Sequence, residues 1–254
     1  MPSSAWPFLD QPGPLAFAHR GGAGDWPENT LPAFEAAVAL GYRYVETDVH
    51  VTADGVLLAF HDDQLDRVTD RTGAISDQPW SVVRQARVDG REPIPLLEEI
   101  LGSWPDLRVN IDPKHDGCVE ALIDVIERTG SVDRVCIGSF SDRRIATLRG
   151  RLGPRLCTSL GPRGLARLRG SSFHLPLGVL SAGCAQVPTT VKGRTLVDER
   201  FLEAAHGRGL QVHVWTIDDP VEMARLLDLG VDGIMTDRPA VLRDVLVGRG
   251  GWTA

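Results

Sequence analysis

The sequence predicts a (β/α)8 barrel, the TIM-barrel class of α/β fold, on three observations. Short apolar runs of strand length alternate with stretches of helical period along the whole chain, as in a parallel sheet covered by helices. The length, 254 residues, is that of one such barrel, about 250. The residues able to do chemistry gather where strands end, the face on which parallel barrels carry their sites.

Taken in order, the strand candidates are 15–18, 44–48, 56–60, 108–112, 135–138, 155–159, 184–187, 211–216 and 233–236. Nine candidates compete for eight positions, so one is not a stave; 155–159 and 184–187 carry the weakest patterns. Between strands, Leu31, Phe34 and Val38 share a helical face that Gly41 closes, and Val119, Leu122, Ile123 and Ile126 repeat the pattern before Gly130. Asp219, Pro220 and Glu222 supply an N-cap, a first-turn proline and a box-closing acid for a helix ended by Leu226, Leu227 and Gly230. The six residues HVTADG, 50–55, cannot hold a crossover helix, so the chain there returns extended or as a hairpin. Residues 62–95, polar and carrying Asp70, Gly73 and Gly90, are too long for a tight connection and read as a short insertion after the third strand, placed as a lid. No repeat or linker interrupts the pattern, so residues 1–254 are expected to form one domain.

Composition narrows the function. Hydrophobic residues make up 43% and charged residues 24%, ordinary for a globular chain. Subtracting 34 acidic from 27 basic residues gives −7, which argues against nucleic acid as a partner but permits a local basic pocket for one phosphate. No apolar run reaches the roughly 18 residues a bilayer requires, so no stable membrane insertion is expected. No Lys or Arg precedes Arg20 and no sustained apolar run follows the start, so no signal peptide is expected and a cytoplasmic location is the default. Cys118, Cys136, Cys157 and Cys184 are widely spaced along the chain and read as reduced, buried small residues rather than a zinc site or a disulfide framework.

Four strand ends are loaded. The first delivers His19 and Arg20, then Gly21, Gly22 and Gly24; the second Glu46 and Asp48; the third His61 and Asp62; the fourth Asp112 and Lys114. Glu46 and Asp48 stand two apart on a strand, so both carboxylates point to one face, and Asp112 and Lys114 stand in the same relation. Carboxylates crowded inside an apolar barrel repel and lose hydration unless a cation or proton satisfies them. Glu46, Asp48 and Asp112 make an all-oxygen donor set that suits one hard divalent ion, Mg2+, Ca2+ or Mn2+, rather than Zn2+. Arg20 and Lys114 attract an anion, and phosphate bridges a metal and two cations. His19 and His61 remain to exchange protons near neutral pH. Together these groups point to phosphoester cleavage. Taken singly the signals are weaker: a lone histidine usually satisfies a local hydrogen bond, and the glycines alone are turn chemistry. Asp237 reads as the N-cap of the last helix, and Trp215 lines a sugar or glycerol pocket or fills the barrel top.

The segments AHRGGAGDWPENTLPAFEAAVALG and YVETDVHVTADGVLLAFHDDQLDRVTDRTG, with NIDPKHD, VCIGSFS and VHVWTIDDPVEMARLLDLGVDGIMTDRP, resemble the glycerophosphodiester phosphodiesterase family over nearly the whole chain. The resemblance implies a TIM barrel and metal-dependent hydrolysis of glycerophosphodiesters, small-molecule substrates, to glycerol 3-phosphate and an alcohol. By motif, His19 and His61 match the family's acid/base pair, Glu46, Asp48 and Asp112 its metal ligands, and Arg20 and Lys114 its phosphate-contacting cations. One departure stands out: the family's Glu-x-Lys is here Asp112-Pro113-Lys114, so the third ligand is one methylene shorter. The competing readings are a lysophospholipase D or sphingomyelinase D-like phosphodiesterase, with a similar His, Glu and Asp set, and a non-catalytic barrel that binds a phosphodiester. The segment 27–30, Pro-Glu-Asn-Thr, weighs against a sphingomyelinase D, and two proton-transfer histidines weigh against mere binding.

Overall fold

The computed structural model describes residues 6–173, 178 and 180–252. The order is β1 (Leu15–His19), α1 (Leu31–Ala39), β2 (Tyr44–Val51), β3 (Leu57–Ala59), α2 (Trp80–Val83), β4 (Arg87–Val88), β5 (Glu92–Pro93), α3 (Leu97–Ser103), β6 (Arg108–Pro113), α4 (Cys118–Thr129) and β7 (Val135–Ile137). It continues α5 (Asp142–Leu152), β8 (Cys157–Thr158), α6 (Pro162–Ser171), β9 (Cys184–Val187), β10 (Thr190–Val191), β11 (Arg194–Thr195), α7 (Glu199–His206), β12 (Gln211–Val214), α8 (Pro220–Leu229), β13 (Gly233–Thr236) and α9 (Pro239–Gly248). Eight strands pair in parallel in the order β8-β7-β6-β2-β1-β13-β12-β9, and a parallel bridge between Ser159 and Cys184 brings the two ends together. The barrel is nearly closed, as the alternation predicts.

The ninth candidate is not where the weak patterns placed it. Both 155–159 and 184–187 contribute staves, β8 and β9. The supernumerary strand is β3, which runs antiparallel to β2 with Val49 opposite Ala59 and Val51 opposite Leu57. Thr52 makes the reversal: its N–H donates to the Val56 carbonyl at 3.0 Å, its hydroxyl accepts from Val56 N at 3.0 Å, and Gly55 takes the positive φ of 86°. The insertion follows this third strand, as expected, but the strand is the second arm of a hairpin, so the insertion lies between the staves β2 and β6. It carries its own small core of Leu65, Ile75, Val83, Ala86, Val88 and Ile94 against Leu58 and Phe60. Asp70 and Asp66 tie its turns by accepting from Arg87 N and Gly73 N.

Strand alternation sorts the barrel wall. Ala16, Ala18, Val45, Val109 and Ile111 face the helices, whereas Leu15, Phe17, Tyr44, Cys136, Cys157, Cys184 and Met235 pack together inside. The floor is stopped by a 3-10 turn, Pro7–Leu9, whose Phe8 and Leu9 join this inner cluster; Tyr44 Oη donates to the Phe8 carbonyl at 2.8 Å. The helix signals hold: Asp219 caps α8 by accepting from Glu222 N at 2.8 Å, and Gly130 and Gly230 end α4 and α8 in the left-handed region; at α1 the structure adds Thr30 as the cap, accepting from Ala33 N. The box at α8 closes differently, because the Glu222 carboxylate pairs with Arg225. Among the described residues no helix is long and apolar enough to cross a membrane.

Because the insertion has a core of its own, a cavity there should loosen it alone. Ile75→Ala is expected to cost about 2–5 kcal/mol locally. Amide exchange should quicken across 62–95 while β1, β2 and β6 keep their protection; uniform quickening would show that barrel and insertion open as one unit.

Candidate active site

The C-terminal ends of β1, β2 and β6 converge by register. His19 lies opposite Glu46, Glu46 opposite Asn110, and Asp48 opposite Asp112. Inward alternation then brings His19, Glu46, Asp48 and Asp112 to the inner face of the sheet in two successive rows, where with Arg20, His61, Lys114 and Trp215 they line a cleft of about 360 Å³. All eight residues singled out from the sequence border this cleft.

Crowded burial dominates the electrostatics. Glu46 and Asp48 are buried, at 5% and 2% exposure. Burial, and then the neighbouring Asp48 charge, push the Glu46 carboxyl up to about 7. Burial also raises Asp112, against the opposing pull of Lys114. Lys114 spans two of the acids, with Nζ 2.5 Å from Asp48 Oδ1 and 3.0 Å from Asp112 Oδ2; burial opposes its charge, but the two carboxylates outweigh burial and hold it above the usual range. Arg20 Nε lies 3.2 Å from Asp48 Oδ2, and Arg20 N donates to Glu46 Oε2 at 3.3 Å. Two buried oxygens, Asp48 Oδ2 and Asp112 Oδ1, have no hydrogen-bond partner. Such orphaned anionic oxygens fit a hard cation, although Lys114 now stands between the two acids.

Each histidine is held by a carboxylate. His19 Nδ1 donates to Asp237 Oδ1 at 2.6 Å, leaving Nε2 3.7 Å from Glu46 Oε2. Burial lowers the affinity of His19 for a proton, but Glu46 and Asp237 together outweigh it and hold the imidazole above its ordinary pKa. His61 Nδ1 donates to Asp62 Oδ1 at 2.6 Å. Asp62 is in turn clamped by Arg67 of the insertion, whose hydrogen bond leads the causes that hold this acid down to about 2. The same guanidinium reaches Glu28 at 2.7 and 3.0 Å, and Glu28 accepts from Arg20 Nη1 at 3.1 Å, so a chain of ion pairs joins the insertion to Arg20.

Asp237 is the main correction to the sequence reading. The N-cap of α9 is Arg238, which makes no side-chain cap, and Asp237 turns inward to His19. The signal was present in the period of two: Ala18 is in register with Thr236, so the next residue stands beside His19. The glycine loop serves this geometry. Gly24 N donates to the Asp237 carbonyl at 2.8 Å, and a Cβ at Gly24 would come within 2.8 Å of that oxygen. His50 was missed too, though it continues the Glu46, Asp48 alternation. Buried at 4% exposure, it donates from Nε2 to the His61 carbonyl at 3.1 Å and is held down to about 4, chiefly by burial. It fixes the backbone of His61 as a neutral ring.

The cleft's other wall is apolar: Phe140, Leu160, Leu165 and Trp215, with the rings of Phe140 and Trp215 edge to face at 6.2 Å. A barrel whose mouth sets paired cations beside buried acids, between two carboxylate-oriented histidines, belongs to the phosphoester-cleaving class.

Comparison with known proteins makes the class specific. The glycerophosphoryl diester phosphodiesterase family matches residues 19–241. A probable glycerophosphodiester phosphodiesterase 2 of Mycobacterium tuberculosis is 41% identical over 251 residues, covering 96% of this chain and 95% of that protein. Among solved structures, a glycerophosphodiester phosphodiesterase from Agrobacterium tumefaciens superposes with a TM-score of 0.75 at 24% identity, covering 92% of this chain and 100% of that one. An Oleispira antarctica phosphodiesterase, solved with its product sn-glycerol-3-phosphate, gives 0.76 at 23% identity, covering 92% and 97%. The chain belongs to the glycerophosphoryl diester phosphodiesterase family and is a phosphoric diester hydrolase.

If Asp237 and Asp62 orient the two imidazoles, Asp237→Asn and Asp62→Asn should each lower kcat by about 10²-fold or more with KM little changed. A fall confined to KM would instead make them substrate contacts.

Proposed function

We propose that this chain hydrolyses glycerophosphodiesters to sn-glycerol 3-phosphate and an alcohol. The observation that carries the reading is the pair of histidines on one cleft, each with Nδ1 held by its own carboxylate and each left with Nε2 to exchange a proton. The family match and the product bound to the Oleispira antarctica relative support the substrate class.

Glu46, Asp48 and Asp112 are the residues that would hold one divalent ion, Mg2+, Ca2+ or Mn2+, and their fit rests on the orphaned oxygens of Asp48 and Asp112. Such an ion, when bound, draws charge from the phosphoryl oxygens. Arg20 and Lys114 hold and orient the phosphodiester and stabilise charge on its oxygens in the transition state. One histidine takes the proton of the attacking oxygen, from water or from a glycerol hydroxyl, and the other protonates the departing alkoxide at Nε2. If the glycerol hydroxyl attacks, a cyclic phosphate forms first and water then opens it. Trp215 packs against the glycerol or the leaving group. The four buried free thiols fit a reducing compartment, the cytoplasm.

A second reading is favoured by the apolar wall. Phe140 is 72% exposed at the cleft beside Leu160, Leu165 and Trp215, and such a surface accommodates an acyl chain, so a lysophospholipid is the competing substrate. Glycerol 3-phosphate release from glycerophosphocholine separates the two, because a lysophospholipase D releases lysophosphatidate and spares the deacylated diester.

EDTA should abolish turnover, and one of Mg2+, Ca2+ or Mn2+ should restore it. The same ion should raise stability by about 2.7 kcal/mol at a hundredfold excess over its Kd, and Glu46→Gln and Asp48→Asn should lose that increment. Unchanged turnover in EDTA would remove the ion from the reaction. His19→Ala and His61→Ala should each cost about 10²–10⁴-fold in kcat. With a p-nitrophenyl diester, whose leaving group departs without a proton, only the variant lacking the acid should recover. Equal recovery, or none, would overturn the division of roles.

A further inference from the structure

Cys136, Cys157 and Cys184 are far apart in the chain yet stand on the neighbouring staves β7, β8 and β9, each pointing into the barrel. Register brings them together: Cys136 pairs with Cys157, and the bridge from Ser159 to Cys184 aligns the third strand. All three are free and buried, and their Sγ atoms lie within 4.8 Å of one another, with Cys136 and Cys184 at 3.9 Å. Among the described residues they are the group of three His, Cys, Asp or Glu donors gathered this closely.

From this geometry we propose that the three thiols form a second metal site, below the active-site cleft, for a soft d10 cation such as Cu(I) or Zn(II). Sulfurs around one ion at a metal–sulfur distance of about 2.3 Å stand roughly 3.8–4.0 Å apart in tetrahedral or trigonal geometry. The Cys136–Cys184 separation is already 3.9 Å, so the staves hold the edge of the coordination figure without backbone movement. Thiolates select soft ions over the hard ions suited to the carboxylate cleft, so the two sites take different metals. The surroundings supply the other requirements. His213, fully buried on the neighbouring stave β12, accepts from Gln186 and donates to Gln211 at 3.0 Å, so its orientation is fixed from outside. Arg149 of α5 hydrogen-bonds Thr158, the neighbour of Cys157, and places positive charge near the cluster. Burial opposes ionisation of Cys157, but hydrogen bonds from the other two thiols and the Arg149 charge draw it down overall. Loading releases the thiol protons as sulfur–metal bonds form, and no oxidant or reductant is required.

The experiment is Cd2+ titration of the reduced whole chain, the ion being added during refolding so that the floor turn of Phe8 and Leu9 does not restrict access. One equivalent should produce an ultraviolet sulfur-to-cadmium charge-transfer band. Asp48→Asn should keep the band, because the carboxylate cleft has no sulfur, and Cys157→Ala should lose it. If Cys157→Ala does not fold, Cys184→Ser is read in its place. X-ray absorption at the cadmium edge of the wild-type chain should find about three sulfur neighbours, and competition against a Cu(I) chelator should show the wild type, but not the cysteine variant, retaining the ion. No band, a band undiminished in both cysteine variants, or a shell of oxygen alone would overturn the proposal and leave the thiols as small packing groups.

Discussion

Three carboxylates are held inside an apolar barrel, and most of what surrounds them follows from the difficulty of keeping them there. Glu46 and Asp48 are nearly inaccessible, and Glu46 is pushed up to about 7 by burial and by its neighbour. In water each acid would be solvated, but in the barrel it needs a cation. Arg20 and Lys114 answer in part, Lys114 bridging Asp48 and Asp112 and Arg20 lying beside Asp48. The compensation is incomplete, since an oxygen on each of the two aspartates has no hydrogen-bond partner. A site left short of positive charge attracts a cation, and a site containing cations attracts an anion. The mouth of this barrel sets both kinds of charge within a few ångströms of each other.

The same economy orders the periphery. Arg20 must hold its position while carrying a positive φ of 51°, and its guanidinium is fixed by Glu28, which Arg67 clamps from the insertion. Arg67 also grips Asp62, and Asp62 orients His61. The insertion thus reaches both His61 and Arg20 through one guanidinium. On the opposite side, the glycine loop after β1 closes against the Asp237 carbonyl and lets that residue turn to His19.

Much of this was legible in the sequence because strand ends announce themselves. His19, Glu46, Asp48, His61 and Asp112 each follow an apolar run, and a period of two says which of them share a face. What escaped depends on pairing between distant strands. Asp237 sits in Asp-Arg-Pro, a local pattern that reads as a helix start, and only the alignment of Ala18 with Thr236 sets it beside His19. The segment 56–60 has the composition of a stave, but the turn built by Thr52 and Gly55 folds it back antiparallel. Segment 155–159 looked weak because its pairing is short, two residues in β8 and a bridge beyond it, whereas 184–187 pairs with β12 along its whole length. The thiol cluster is invisible for the same reason as Asp237: no spacing in the chain encodes adjacency around a ring.

The short pairing of β8 has a mechanical consequence. A closed barrel behaves as a hoop, and a hoop yields at its thinnest link. Here β8 meets β9 through the single bridge from Ser159 to Cys184, whereas β2 joins β6 over six residue pairs. Opening between β8 and β9 would convert the ring into a C-shaped open sheet while the carboxylate-bearing staves stayed paired. The weakest join therefore lies across the barrel from β1 and β2. The three cysteines straddle it, so any bond formed among them would act as a rivet across the seam.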